Sequence, residues 1–415
     1  MGLLRLNGKR EFVAAAFLMA MTACHCFLIV SLMPSLRRGY QDFTIFYSAG
    51  CLLRKGQAAN LYSLSEQYRI QREFAPDVPI RQAALPYNHP PFEALLFVPF
   101  TFVQYRSAYV LWTALNLIVL ALSLVLLRKE FAELRTFPLA FLGLAATGFF
   151  PVALGVLQGQ DDIVLLLIIT IALILLHREE EVSAGGALAL GLFKPHLVIP
   201  LVLLLAIRHR RVLVGFVPIG MVLALISVAM VGLGGAINYV KFVFYLEKTG
   251  AGGAVGSDFM PNLRGLIAWL PGVGRARVFA TVLTLTCSVA LIVAAWWKIK
   301  NGPDSICYAF GLATVAAILV SYHALTYDLS LLLPAIFFFF CGTAPKNRNK
   351  AGAGTMLLLV LLFLTPLYAL LLFRLNRMCW FSTILLWFFV KLAGGQDVAV
   401  RWLPERSRTI SNMGK

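Results

Sequence analysis

The chain has 415 residues, 60% of them hydrophobic and only 13% charged, with a formal net charge of +17 at pH 7. A mean hydropathy of +0.81 excludes an ordinary water-soluble core and indicates a multi-span helical membrane protein. The basic residues stand in short clusters between apolar runs, so the positive charge reads as the positive-inside signal and not as a nucleic-acid-binding stripe.

In chain order, the first apolar run extends from about Phe12 to Met33 behind Arg5, Lys9 and Arg10. It is too long for a signal-peptide core and lacks a small-x-small cleavage site before Arg37-Arg38, so it is expected to be a retained span. A long external loop from Pro34 to about Tyr105 follows, with a surface helix starting near Ser63 or Ser65. Further spans are expected near 107–127, 137–156, 162–177, 211–235, 276–297, 305–322, 326–342, 354–373 and 378–393.

One apolar segment, Gly185 to Ala206, has charges on both flanks and Lys194-Pro195-His196 at its centre. Proline disfavours helix in the residue before it and donates no amide hydrogen, so two short helices forming a hairpin are expected, with Lys194 and His196 at the tip. A second external loop is expected from Ala236 to Gly274. Its glycine-rich stretch, Gly250 to Gly256, lacks the Lys-Ser/Thr of a phosphate-binding loop and reads as a mobile cover. With the basic clusters cytoplasmic, about twelve helical segments result, with both termini cytoplasmic. The expected fold is an all-α polytopic membrane bundle forming a single domain over 1–415, with C-terminal spans and a basic cytoplasmic tail, Arg401 to Arg408, after residue 340.

The seven cysteines fall mostly inside apolar runs, so no disulfide framework follows. Cys24-His25-Cys26 is too short for zinc spacing and is expected to pack.

Under this topology Asp42, Tyr47, Tyr87, His89, Gln160, Asp161, Asp162, Lys194, His196, Asn262, Arg264, Tyr322, His323, Tyr327 and Asp328 collect at the outer surface. Recruiting several ionisable groups to one end of a bundle costs about 2.5–3.5 kcal/mol each on the insertion scale, which implies a wet pocket. Plainer roles compete. Asp42, Asp161-Asp162 and Asp328 are also placed to start helices, and Pro90-Pro91 with Glu93 to open the next one. Arg264 could meet lipid headgroups in general. Lys194, between two apolar half-helices, needs an anionic partner or water, and a lipid phosphate would serve. No metal site or cofactor is expected; Asp42 and Asp162 could hold a divalent ion, but their spacing does not demand one.

The order of motifs is Asp-Phe-x-x-Phe-Tyr (42–47), Tyr-x-His-Pro-Pro (87–91), Gly-Gln-x-Asp (159–162), Leu-Phe-Lys-Pro-His (192–196), Pro-Asn-Leu-Arg-Gly (261–265) and Tyr-His-x-x-x-Tyr-Asp (322–328). In this the chain resembles, over about 12–340, the polyprenol-phosphate-mannose-dependent mannosyltransferases of glycosyltransferase family 87, which have the GT-C membrane fold. The resemblance implies an inverting transferase in the cytoplasmic membrane, moving a hexose, mannose first, from a polyprenyl-phosphate sugar to a hydroxyl of a glycolipid or glycan at the extracytoplasmic face. It implies Asp42 as general base, Lys194 with Arg264 and His196 at the donor phosphate, and His323 as an auxiliary group. Tyr47, Tyr87, His89, Gln160, Asp161, Asp162, Asn262, Tyr322 and Asp328 are the corresponding substrate-side residues. Asp161-Asp162 after Gln160 depart from the family pattern, where an amide or small residue is usual, and leave the acceptor open. The competing reading is a transporter or flippase for a lipid-linked sugar, which usually shows midplane coupling residues and inverted repeats.

Overall fold

A computed structural model of the chain describes residues 9–39, 41–75, 84–249, 256–272, 276–343 and 352–394. The described residues contain helices and no strand. Helix α1 (Lys9–Arg37) is followed by α2 (Phe43–Arg54), α3 (Leu64–Phe74), α4 (Pro91–Phe102) and α5 (Tyr105–Glu130). Next come α6 (Leu139–Thr147), α7 (Phe150–Gln158), α8 (Asp162–His177), α9 (Glu181–Leu190), α10 (Pro195–Leu205) and α11 (Val212–Thr249). The chain continues through α12 (Leu263–Trp269), α13 (Arg277–Asn301), α14 (Ile306–Val320), α15 (Tyr327–Gly342), α16 (Ala353–Phe363), α17 (Thr365–Arg374) and α18 (Met378–Gly394).

Four helices, α1, α5, α11 and α13, are long and apolar enough to cross a bilayer alone, and the bent pairs α6–α7 and α16–α17 bring the number to as many as six. The protein is a polytopic helical membrane protein. The run expected as one span over 137–156 is instead broken by 69° between Thr147 and Phe150, and that over 354–373 by 56° after Phe363. Each second half carries a proline in its first turn, Pro151 or Pro366, which withholds the amide that would continue the ladder. His25 on α1 serves both breaks. One ring nitrogen lies 2.8 Å from Thr147 O and the other 2.7 Å from Thr365 Oγ1, so a single neutral tautomer donates to the carbonyl and accepts from the hydroxyl. The packing role expected for the Cys24-His25-Cys26 segment thus includes mending two kinks.

The expected hairpin is present as α9 and α10, joined by Gly191 to Lys194. At ten and eleven residues, each spans only about half a bilayer. α9 lies against α11 with Gly185 and Gly215 at the contact. A Cβ on Gly185 would overlap Val212 O, and one on Gly215 would overlap Val182 O, so only glycine admits this backbone approach.

Two expected loops are more helical than anticipated. Between Pro34 and Tyr105 the chain forms α2, α3 and α4 around a buried aromatic cluster that includes Phe43, Phe46, Phe97 and Trp112. Ser63 caps α3 by accepting from Glu66 N. The second loop begins later than Ala236, because α11 runs on to Thr249 across a break at Gly232 (φ 73°). The extension places Tyr239 and Phe242 against the Tyr62 ring, at centroid distances of 5.1 and 5.7 Å. The glycine-rich stretch at 250–255, the basic segment at 346–350 and the tail at 401–408 lie outside the described residues.

Helices α8, α9 and α10 run back and forth between two charged ends. α8 carries Asp162 at one end and His177 at the other, about 24 Å away for sixteen residues. At the His177 end, Glu130 pairs with Arg178 and His177, Glu181 with His209, and Arg208 with the Gly302 and Pro303 carbonyls.

Candidate active site

The Asp162 end is assembled around the turn between α7 and α8. Gly159 closes α7 in the left-handed region (φ 65°), and a Cβ there would stand 2.7 Å from Phe43 Cβ, so glycine is required twice over. The polar edge of α5 holds this turn: Tyr109 Oη donates to Leu157 O at 2.6 Å, and Trp112 Nε1 to Gly159 O at 2.9 Å. Asn116 Nδ2 reaches Gln160 O at 3.5 Å.

The turn in turn holds Asp42. Gln158 Oε1 accepts from Asp42 N at 3.1 Å, and Gln160 Nε2 donates to Asp42 Oδ2 at 2.7 Å. Asp42 stands at the N-cap of α2 but makes no side-chain cap, so the helix-start role does not account for its carboxylate. It is half-buried and lines a cavity of about 520 Å³. The cavity lining is mixed: Gln41, Asp42, Gln158, Thr326, Tyr327, Asn376 and His25 are polar, and Leu28, Ile29 and Leu32 of α1, Leu157 and Phe373 are among the apolar residues.

Behind Asp42 lies a buried charge cluster. Lys194 Nζ is 2.6 Å from Asp162 Oδ1, 2.9 Å from Asp328 Oδ1 and 3.2 Å from Asp161 Oδ1, and it sits 4.9 Å from the centre of the Tyr327 ring. The lysine is 3% exposed and the three aspartates 0–2%, too enclosed to meet a lipid headgroup directly. The anion that Lys194 was expected to need is therefore supplied by the protein, and its assignment to the donor phosphate is revised. Asp328 Oδ2 also accepts from Leu325 N at 2.6 Å, fixing the start of α15 as well as the lysine.

Next to this cluster, His89 Nδ1 is 2.9 Å from Glu93 Oε2, which also receives Tyr87 Oη at 3.2 Å. Glu93 stands in the first turn of α4, as expected, and is also buried at 3% exposure against His89 and Tyr87. Burial pushes the Asp161 carboxyl up, to about 8, against the opposing attraction of Lys194. Burial likewise pushes the His89 imidazole down, to about 4. His89, Glu93 and Asp161 each offer one ligand atom within 4.8 Å of the others.

Several expected substrate-side residues serve the framework instead. Tyr47 is buried and donates to Val103 O at 2.8 Å. Tyr87 is buried, with its amide on Gln67 Oε1. Asn262 caps α12 by accepting from Gly265 N and ties it to Ser321 O. Gln160, Asp161, Asp162 and Asp328 are buried behind the cavity wall. The remaining members form an outer group: Arg264 donates to Tyr322 O at 3.0 Å and stacks 4.1 Å over the exposed Tyr322 ring. His323 meets the His196 ring edge-on at 6.2 Å. Site residues that the sequence did not mark are Gln158, Tyr109, Trp112 and Asn116. Tyr109, Trp112 and Asn116 recur at helical spacing within an otherwise apolar span, which was the available signal.

Comparison with curated proteins and with solved structures gives no match. The model of glycosyltransferase family 87 matches residues 87–322, more than half of the chain and including every member of the buried cluster except Asp328. Asp42 lies ahead of the matched region, joined to it through Gln158 and Gln160. The chain therefore belongs to glycosyltransferase family 87 and is a membrane-embedded glycosyltransferase.

Proposed function

We propose that the protein is an inverting transferase that moves a hexose, mannose first among candidates, from a polyprenyl-phosphate sugar to a hydroxyl of a glycolipid or glycan. The observation that carries this reading is one cavity lined both by Asp42 and by apolar residues of α1, Leu28, Ile29 and Leu32. A polyprenyl donor combines the same two characters, a long hydrocarbon and a compact polar head. A nucleotide sugar would leave the apolar residues without a partner.

In this reading the acceptor oxygen attacks the anomeric carbon as its bond to the phosphate oxygen breaks. The bonding pair leaves with polyprenyl phosphate, and the hydroxyl proton passes to Asp42. Gln160 donates to one Asp42 oxygen and so orients the carboxylate that receives the proton. Attack opposite the departing phosphate inverts the anomeric centre. With Lys194 enclosed by carboxylates, Arg264 together with His196 and His323 becomes the group assigned to the phosphate. The bulk of the basic clusters would face the cytoplasm and the Asp42 end the extracytoplasmic side of the cytoplasmic membrane. A GT-C arrangement and a single domain over the whole chain belong to the same proposal.

The test is transfer by the purified protein from a panel of polyprenyl-phosphate sugars into native lipids, with the anomeric configuration of the product read by NMR. Transfer from one such donor with inversion is expected. Retention, or transfer only from nucleotide sugars, would contradict the proposal.

A further inference from the structure

We propose that His89, Glu93 and Asp161 form a binding site for one divalent transition cation of the manganese or zinc class. The site stands on the donor geometry and on unsatisfied buried oxygens, independently of which sugar donor the enzyme uses.

The three residues come from two separate segments, the loop leading into α4 and the turn before α8, yet one ligand atom from each lies within 4.8 Å of the others. Bonds from such cations to imidazole nitrogen and carboxylate oxygen are about 2.0–2.2 Å, so three donors spread around one ion stand about 3.3–3.8 Å apart. Closing on an ion would take side-chain shifts of at most about an ångström from the separations present.

The second observation is what these side chains lack. Glu93 Oε1 and both Asp161 oxygens are buried and receive no N–H or O–H donor among the described residues; the two carboxyls face each other, and Lys194 Nζ is 3.2 Å from Asp161 Oδ1. Buried carboxylate oxygens left in this way are costly and call for a ligand. Glu93 Oε2 lies 2.9 Å from His89 Nδ1 and receives Tyr87 Oη, whereas Oε1 receives no donor. Lys194 must also answer Asp162 and Asp328, so it does not serve Asp161 alone.

The imidazole in the donor set selects among ions. Calcium and magnesium take oxygen ligands, whereas manganese and zinc accept mixed nitrogen and oxygen. Bound here, the ion would clamp the His89 loop to the turn that presents Gln160 to Asp42. These three are positioning residues with respect to the reaction.

The experiment uses the full chain in detergent, stripped with EDTA, loaded with MnCl2 and freed of excess by gel filtration. About one Mn2+ per chain is expected in the wild type and in the exposed-carboxylate control Glu73→Gln, and a stoichiometric loss in Glu93→Gln and Asp161→Asn. Electron-spin-echo spectra of the wild-type complex should show coupling to an imidazole nitrogen, a readout that needs no variant to fold. Absence of stoichiometric Mn2+ in the wild type, absence of nitrogen coupling, or full retention by both folded variants would overturn the site. None of these readouts depends on sugar transfer.

Discussion

The two charged ends of helix α8 use similar residues to opposite effect. At the His177 end, Arg178 at 53% and His177 at 43% side-chain exposure share Glu130, itself 14% exposed. At the Asp162 end, Lys194 and its three aspartates are almost wholly enclosed. Exposed pairs are screened and contribute little, whereas an enclosed set loses its hydration and must be held by exact partners. A membrane protein places charge at a surface for orientation, and the first end needs no further explanation. The second end is costly to build, and the proposed reaction lies beside it.

Lys194→Met would break this contrast most sharply. It leaves three buried carboxylates without their cation, and a loss of about 3–5 kcal/mol in stability is expected, measured by chemical unfolding in detergent. A small loss would mean that the aspartates are not jointly dependent on the lysine. Gln160→Ala removes the donor to Asp42 and should lower transfer about 10- to 100-fold, the value of a hydrogen bond to a charged group, with little change in the unfolding midpoint. An unchanged rate would separate Gln160 from the reaction. At the other end, Arg178→Ala should leave both the unfolding midpoint and transfer within experimental error.

The same contrast explains what could be read from the sequence. Hydrophobic run length located α1, α5, α13 and α14 closely, and Lys194-Pro195 located the α9–α10 hairpin, because bilayer thickness and the missing proline amide are local constraints. The bends in α6–α7 and α16–α17 were not read. Pro151 and Pro366 stood in view, but the partner that makes the breaks affordable is His25, more than a hundred residues from either. Within the site, residue types correctly marked one end of the bundle but not who faces whom. Lys194 looked like a phosphate ligand because its three carboxylates lie 32 to 134 residues away or hide as helix starts. Glu93 looked like a first-turn helix residue, and only folding turns it onto His89 and Tyr87. Asp42 was singled out because nothing else in its motif offers a carboxylate just past the first span.

Asp42 is also where the account is most exposed to test. Transfer of labelled sugar from a polyprenyl-phosphate donor should be compared between purified wild type and Asp42→Asn, with folding of both checked by their unfolding midpoints. The amide keeps the size of the side chain and removes its basicity. A fall of about 10²- to 10⁴-fold in the rate, with the midpoint unchanged, is the predicted result. Equal rates in two folded proteins would contradict Asp42 as the base and move the reaction away from this end of the cavity.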